Sequence, residues 1–301
     1  MFDLDKLNFK VEKFPLAMVN WEDMPLREVV PEIISNKIGV GLRRTDTQEP
    51  IAIVSDTYEI VQFSDIAEQV GDAISQSGID LTTMDTQTIL SEDSTKLELI
   101  AKFPSHSKTI DDKGDEIVPS FTFRSSQDKS WANNGMMGFW RWSCYNTLVD
   151  GNKLAYVYGK HTKNFSIPSF ASKIRGAAEY ISTDGFKRMQ NWYTNTISRD
   201  DAIVLFSKTL AKRTDNVSKN NKPNKVMLSN LMKTFDEENR HLIGRGAYEK
   251  YSTRDEGSLW TAYQAATAWS THTKNINVKP IREAKVIKML KSPEWENLQY
   301  V

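Results

Sequence analysis

The sequence predicts an α+β fold, with a mainly antiparallel sheet in the N-terminal half that one helix interrupts, followed by a helical C-terminal half. Two observations carry this prediction. Between residues 37 and 119 apolar residues alternate with small or polar ones, which is typical of strands, and after about residue 168 the apolar period changes to 3.6. Strands first and helices later favour α+β over alternating βαβ units.

The 301 residues are enough for one large domain or for two closely packed ones. With 39% hydrophobic and 26% charged residues, the composition is ordinary for a globular chain and does not decide between them. The pattern predicts an N-terminal extension (1–36), a β-rich core with one helix (37–168) and a helical region packed on the sheet (169–301). A single domain over 37–301 is the alternative.

Alternating residues and turn chemistry predict strands at seven places: 37–43, 51–54, 81–90, 96–103, 117–124, 136–148 and 154–158. One helix lies between the second and third strands. Ser64 is its predicted N-cap, because a serine hydroxyl accepts a hydrogen bond from a first-turn N–H. Ile66, Val70 and Ile74 share one face of this helix, and Gly78 is placed to end it.

In the second half, helical spacing begins at Phe170 and Ile174. Ser198 with Asp201 forms a capping signature ahead of the next helix. Lysines and asparagines predict a polar linker at 212–225, whose cations suit either phosphate contact or simple solvation. Later helices are predicted around 228–235 and 259–266, and Pro280 marks the first turn of the last one.

The net charge of zero is a cancellation between two parts of the chain. Residues 1–118 carry 11 Lys+Arg against 23 Asp+Glu, whereas residues 119–301 carry 28 against 16. A basic remainder can attract a polyanion even when the whole chain is neutral. The alternative interpretation is that the two parts attract each other.

Most enzyme and cofactor classes lose support from the sequence. Phosphate loops, dinucleotide-binding turns, zinc-protease helices and nucleophile elbows are missing from it. The only cysteine, Cys144, excludes an intramolecular disulfide, and the four histidines are too scattered to predict a zinc site. We therefore predict no cofactor, no metal and no catalytic residue. No 18-residue apolar run and no secretory signal are found, so we expect a soluble, cytoplasmic protein.

Two patterns in the sequence favour catalysis only weakly. Asp111, Asp112, Asp115 and Glu116 cluster as nuclease carboxylates do, but they lie in one turn, and two-metal sites draw their acids from separate elements. Cys144 could act as a nucleophile with His161 as base, yet a lone cysteine in a predicted strand is more often a small buried hydrophobe.

The most unusual feature is a basic, aromatic-rich segment at 119–175, with 8 Lys+Arg, two aspartates and no glutamate. Single-strand binding proteins use both kinds of group, because bases stack on aromatic rings while cations neutralise phosphates. The alternative is that the tryptophans are core residues and that Arg141 is exposed beside them. The candidate nucleic-acid-binding residues are Arg124, Lys129, Trp131, Trp140, Arg141, Trp142, Lys160, His161 and Lys163.

Several motifs resemble the domain of unknown function 932 family. The two most specific are Val54-Ser55-Asp56-Thr57-Tyr58-Glu59-Ile60-Val61-Gln62 and Cys144-Tyr145-Asn146-Thr147-Leu148. Supporting matches lie at 96–102, 114–119, 124–128, 160–162 and 260–267, so the resemblance extends from about residue 37 to 275. The sequence departs from the family pattern at three places. Gln264 stands where asparagine is expected, and Lys160 stands where arginine is expected. The third departure is the tryptophan-rich 139–142.

The resemblance implies a setting in phages, prophages and plasmids, and thus an accessory role in replication, recombination or host takeover. The layout is also similar to that of phage single-strand annealing proteins, by analogy only. The sequence therefore predicts a non-catalytic protein of the host cytoplasm that binds single-stranded DNA, as a possible homo-oligomer. Two alternatives remain: a module that binds a host or phage protein, and a metal-dependent hydrolase or nuclease.

Overall fold

The computed structural model describes residues 1–18, 32–33, 39–110, 115–141, 143–149, 152–158, 167–212, 223–244, 256–273 and 275–299. The predicted α+β class is confirmed, with antiparallel sheets in the first half and helices in the second. Within these residues, no helix combines the length and the apolar character that crossing a bilayer requires.

The described residues near the N-terminus form the short strands β1 (Val11–Phe14), β2 (Ala17–Met18), β3 (Glu32–Ile33), β4 (Val40–Arg44) and β5 (Pro50–Val54). Three of them make a small antiparallel sheet in the order β1-β4-β5. Strand β2 pairs with β3. Because β1 pairs with β4 and Leu7 and Phe9 are buried, the first residues pack on the same core as the rest.

The inserted helix α1 (Phe63–Gln76) buries the predicted face of Ile66, Val70 and Ile74. Its N-cap is Gln62, so the predicted cap at Ser64 is wrong by two residues, because Phe63 and Ser64 already belong to the first turn. The predicted end is confirmed, since Gly78 follows the helix with a φ of 79° that a residue with a Cβ adopts only under strain.

The main sheet has seven strands, all paired antiparallel, and five of them follow the order β11-β10-β9-β7-β6. Strands β12 and β8 pair with β10 and β9. One predicted strand, 136–148, is two strands with a turn between them, in which Tyr145 has a φ of 57°. The strands are β6 (Asp85–Leu90), β7 (Lys96–Lys102), β8 (Lys108–Thr109), β9 (Glu116–Ser126), β10 (Asn134–Arg141), β11 (Asn146–Leu148) and β12 (Tyr156–Tyr158).

The second half contains helices α2 (Ile167–Tyr180), α3 (Phe186–Thr194), α4 (Arg199–Lys208), α5 (Lys225–Gly244), α6 (Leu259–Thr271), α7 (Lys279–Leu290) and α8 (Pro293–Leu298). A two-stranded sheet of β13 (Thr196–Ser198) and β14 (Glu256–Ser258) lies among them. The Ser198 cap is confirmed by a hydrogen bond from the Asp201 N–H, and Pro280 lies in the first turn of α7.

The two faces of the main sheet differ. One is apolar and packs on α2, with the ring of Phe170 5.8 Å from that of Phe123, and α2 in turn packs on α1. The other carries Lys96, Glu98 and Arg124, and α7 supplies partners to it. Helix α6 is buried on nearly all sides and lies between β11, α5 and α7, so it forms the centre of the helical half.

Candidate functional site

Arg124, a predicted nucleic-acid-binding residue, lies inside an ion network between the sheet and α7. Its Nη2 donates to Glu98 Oε1 at 2.8 Å, and its Nη1 donates to Glu283 Oε2 at 2.6 Å. Lys279 Nζ donates to the same Glu98 oxygen at 2.8 Å. Burial alone would raise the pKa of Glu98, but Arg124 and Lys279 lower it to about 2. All four side chains are buried, so this arginine serves the interior.

Arg141, the second predicted arginine, is fully buried at the end of β10. Its Nε donates to Asp115 Oδ1 at 2.8 Å, and its Nη1 donates to Glu238 Oε2 of α5 at 2.7 Å and to Gln264 Oε1 of α6 at 3.2 Å. Burial disfavours the charge of Arg141, but the Glu238 and Asp115 carboxylates outweigh this and raise its pKa. We call Arg141, Asp115, Glu238 and Gln264 the Arg141 hub.

The Arg124 network and the Arg141 hub both join the acidic first part of the chain to its basic remainder. Glu98 pairs with Arg124 and Lys279, and Asp115 pairs with Arg141, so acids of the first 118 residues bind cations of the remainder. Part of the charge difference between the two parts of the chain is therefore neutralised by ion pairs inside the fold. The same hub engages Asp115 of the carboxylate cluster weighed as a nuclease site, whereas Asp111 and Asp112 lie outside the described residues.

Of the seven remaining candidate residues, one is buried, two lie in a loop and four lie outside the described residues. Trp140 is 8% exposed, with Lys102 Nζ 4.3 Å above its ring, and is therefore packed rather than presented. Lys129 is exposed at a loop tip, and the half-buried Trp131 follows it with Lys96 Nζ 6.0 Å from its ring. Trp142, Lys160, His161 and Lys163 lie outside the described residues.

Cys144 adjoins the hub as a neutral thiol. Its Sγ lies 3.6 Å from Arg141 Nη1 and 3.8 Å from Gln264 Oε1. Burial raises the pKa of Cys144 despite the nearby Arg141, so the thiolate that nucleophilic catalysis needs is disfavoured. The described histidine beside it, His272, contacts the Cys144 carbonyl oxygen through Nε2 at 2.9 Å and not the sulfur.

An open cleft of about 680 Å³ begins at this cysteine and runs between α5, α6 and α7. Its lining includes Glu238 of the hub, Met227 and Thr234 of α5, and Trp269 and His272 from the end of α6. This volume is typical of a site that holds one small molecule or one nucleotide.

Trp269 and Arg282 form the aromatic wall of the cleft. Arg282 Nη1 donates to the Trp269 carbonyl oxygen at 2.9 Å, which holds the guanidinium 5.0 Å from the centre of the indole ring. A planar ligand can stack on an indole or on a guanidinium plane, so this pair provides a stacking surface.

Tyr145 is an exposed aromatic residue next to the cleft-lining Cys144. Its side chain is 61% exposed, although its φ of 57° places it in the left-handed region that is costly for a bulky residue. The ring also contacts Trp140 edge-on, with centroids 6.2 Å apart. Unfavourable backbone conformations concentrate at functional sites, which makes Tyr145 a second candidate stacking group.

Charges of both signs lie around the cleft. Lys225, at the first position of α5 between the lining residues Asn224 and Val226, is exposed. Lys233 is exposed next to the lining residue Thr234 and lies 3.8 Å from Glu237. The rim therefore carries cations, while Glu237 and Glu238 put carboxylates on the α5 wall.

Two of the motifs that carry the family resemblance, 144–148 and 260–267, meet beside the Arg141 hub. Cys144 and Asn146 lie against Gln264 of α6, with Asn146 Nδ2 donating to Gln264 Oε1 at 3.0 Å. Residues 50–292 match the model of the domain of unknown function DUF932. The chain belongs to the DUF932 family. No curated protein and no solved structure matches it.

In this DUF932 protein the cleft was not predictable from local sequence patterns. Trp269 follows the apolar pattern of α6 and was indistinguishable from a core residue, while Arg282 and Glu238 lie on helices that only the fold brings beside it. The one available signal was the position of Trp269 and His272 directly after the 260–267 motif. Within the described part of the chain, no three His, Cys, Asp or Glu side chains are grouped as metal ligands require.

Proposed function

We propose that this DUF932 protein binds single-stranded nucleic acid, and DNA in particular, through the cleft between α5, α6 and α7. The observation that carries the proposal is the stacked pair of Trp269 and Arg282 in an open cleft with exposed lysines at its rim. Bases stacking on aromatic side chains contribute about 1–3 kcal/mol each, and this stacking tolerates any sequence.

Phosphate contacts are assigned to the rim of the cleft. Lys225 and Lys233 are exposed there, and the N-terminus of α5 adds the partial positive charge of a helix end. Each neutralised phosphate releases counterions, so the affinity should fall as salt is raised. The exposed Lys129 and the half-buried Trp131, which the sequence predicted as binding residues, form a second candidate surface for the strand.

The biological role is a further part of the proposal. The resemblance favours a non-catalytic, phage- or mobile-element-type accessory protein that acts in replication or recombination, in the host cytoplasm and as a homo-oligomer. Arg124 and Arg141 of the 119–175 segment are engaged inside the fold, which moves the proposed contacts from that segment to the cleft.

Trp269→Ala should weaken binding of a fluorescently labelled single-stranded oligonucleotide by roughly 5- to 100-fold, because one stacking surface is lost. Lys225→Ala should reduce the slope of log affinity against log salt by about 0.7, the value for one phosphate contact on a single strand. Fluorescence polarization at several salt concentrations measures both effects. Lys187→Ala, an exposed lysine on α3, is the matched control and should leave the affinity unchanged.

Trp131→Ala and Lys129→Ala compare the two surfaces in the same assay. A loss of affinity in these variants, with none in Trp269→Ala, would move the site to the β9–β10 turn. Absence of binding by the folded wild-type protein at low salt would refute the proposal. A partner protein retained from nuclease-treated lysate would then favour the interaction module, and cleavage of the oligonucleotide with magnesium or manganese would favour the nuclease.

Tyr145→Gly and Tyr145→Ala should weaken binding equally, because both remove the exposed ring. Their stabilities should differ: glycine accepts the left-handed backbone that costs other residues about 1–2 kcal/mol, so the glycine variant should unfold at the higher urea concentration. Urea denaturation and polarization separate the two roles. Equal stability of the variants would show that the φ of 57° is not a source of strain.

A further inference from the structure

The α5 wall of the cleft offers carboxylate oxygens to a ligand. Glu237 and Glu238 both line it. Glu238 uses Oε2 to accept from Arg141 at 2.7 Å, and the described residues engage its Oε1 in no hydrogen bond. Glu237 is exposed, and among the described residues the exposed Lys233 is its ion-pair partner, with Nζ 3.8 Å from Oε1. An ionised carboxylate is an acceptor only, so the ligand edge that faces this wall must present N–H or O–H donors.

Among the common nucleobases guanine meets this requirement best. Guanine presents two adjacent donors on its Watson–Crick edge, N1–H and N2–H, which match the two oxygens of a carboxylate or one oxygen from each of two carboxylates. Adenine and cytosine place an acceptor nitrogen beside their single amino group, and thymine flanks its one N–H with carbonyl oxygens. If these bases turned the same edge toward the α5 wall, the lone pairs of their acceptor atoms would face the carboxylates and be repelled by them.

The other groups of the cleft complete this match. Guanine also carries the O6 acceptor, and Asn230 lines the same cleft with a side-chain amide whose N–H groups can donate to it. The ring plane can stack on the Trp269–Arg282 pair, and the cleft volume of about 680 Å³ accommodates a single nucleotide. Stacking surface, acceptor wall and donors therefore lie around one space.

We propose that the cleft is a single-base subsite that favours guanine over the other bases, an inference that rests on the proposed binding of single-stranded nucleic acid at the same cleft. Glu237 and Glu238 are the specificity-determining residues, and Arg141 positions the Glu238 carboxylate from inside the fold. The rest of the bound strand is held by sequence-tolerant contacts at the rim.

The test compares guanosine, adenosine, cytidine and thymidine monophosphates as competitors of a labelled mixed-sequence oligonucleotide. Guanosine monophosphate should compete about 5- to 150-fold better than the others, the discrimination expected of one paired hydrogen-bond contact to a base. Inosine monophosphate is the matched ligand control, since it lacks only the 2-amino group, and should lose most of this advantage. The 7-deaza analogue of guanosine monophosphate keeps the Watson–Crick edge and should retain it.

Glu237→Gln and Glu238→Gln should each reduce the guanine preference at least about 5-fold, because an amide turns a donor toward the base. Glu237 is exposed, so its variant should fold even if Glu238→Gln does not. Equal competition by all four nucleotides would refute the guanine subsite while leaving oligonucleotide binding intact. Calorimetry measures the opposite case. If guanosine monophosphate binds and no oligonucleotide does, the guanine subsite stands and the proposed binding of single strands is refuted.

Discussion

Arg141→Met is expected to lower the free energy of unfolding by about 3–5 kcal/mol, the usual cost of removing one partner from a buried ion pair. The Asp115 and Arg141 side chains are 0% exposed, and Glu238 is 12% exposed, so the carboxylates that lose the guanidinium are largely shielded from water. Urea denaturation of the variant and the wild type measures the difference.

A double variant separates the charge from the packing. Methionine keeps much of the arginine volume, so most of the loss should come from carboxylates left without their partner. Adding Asp115→Asn to Arg141→Met removes one of those charges and should restore a measurable part of the stability. Strictly additive losses in this double-mutant cycle would contradict a direct coupling between the two side chains.

The same hub has a consequence for the cleft. Arg141 Nη1 holds Glu238 Oε2 at 2.7 Å, and Glu238 lines the cleft wall. The buried arginine therefore fixes the direction of a carboxylate that faces the proposed ligand. A residue of the basic, aromatic-rich segment would thus contribute to the proposed binding without touching nucleic acid itself.

Acid is expected to weaken the protein through Glu98, by about 3 kcal/mol between pH 6 and full protonation of this side chain. The pKa of Glu98 falls from 4.5 to about 2 in the fold. A lowered carboxylate pKa stabilises the protein above the unfolded pKa, and this stability is lost as the pH falls through the folded one. The loss should thus begin near pH 4.5 and reach about 2 kcal/mol by pH 3.

Glu98→Gln provides the matched comparison, because it keeps the shape and removes the titrating group. The variant should be less stable than the wild type at pH 6, since Arg124 and Lys279 lose their shared carboxylate, and the difference should shrink toward pH 3. Urea midpoints at pH 6, 5, 4 and 3 measure this trend. A difference that stays constant over that range would show that Glu98 has an ordinary pKa.

The features of the fold that could be predicted are those whose signals lie within a few residues of one another in the sequence. The strand and helix periods, the Ser198 cap and the Pro280 start depend on residues a few positions apart, and the structure confirms them. The turn that splits the strand predicted at 136–148 was missed, because its centre is Tyr145 in a conformation that tyrosine disfavours. Local conformational preferences predict a turn only where its residues adopt the backbone conformations that they prefer, and Tyr145 does not.

The sequence by itself determined the α+β class, the order of strands before helices and the family, since all three rest on local patterns and motifs. Only the tertiary structure decided which cations reach solvent. Arg124 and Arg141 belong to a segment whose composition is typical of a nucleic-acid surface, yet Glu283, 159 residues away from the first, and Glu238, 97 residues away from the second, draw both inward. Burying a charge is costly without a partner, and the folded chain brings those partners from distant helices. The cleft likewise exists only where α5, α6 and α7 meet.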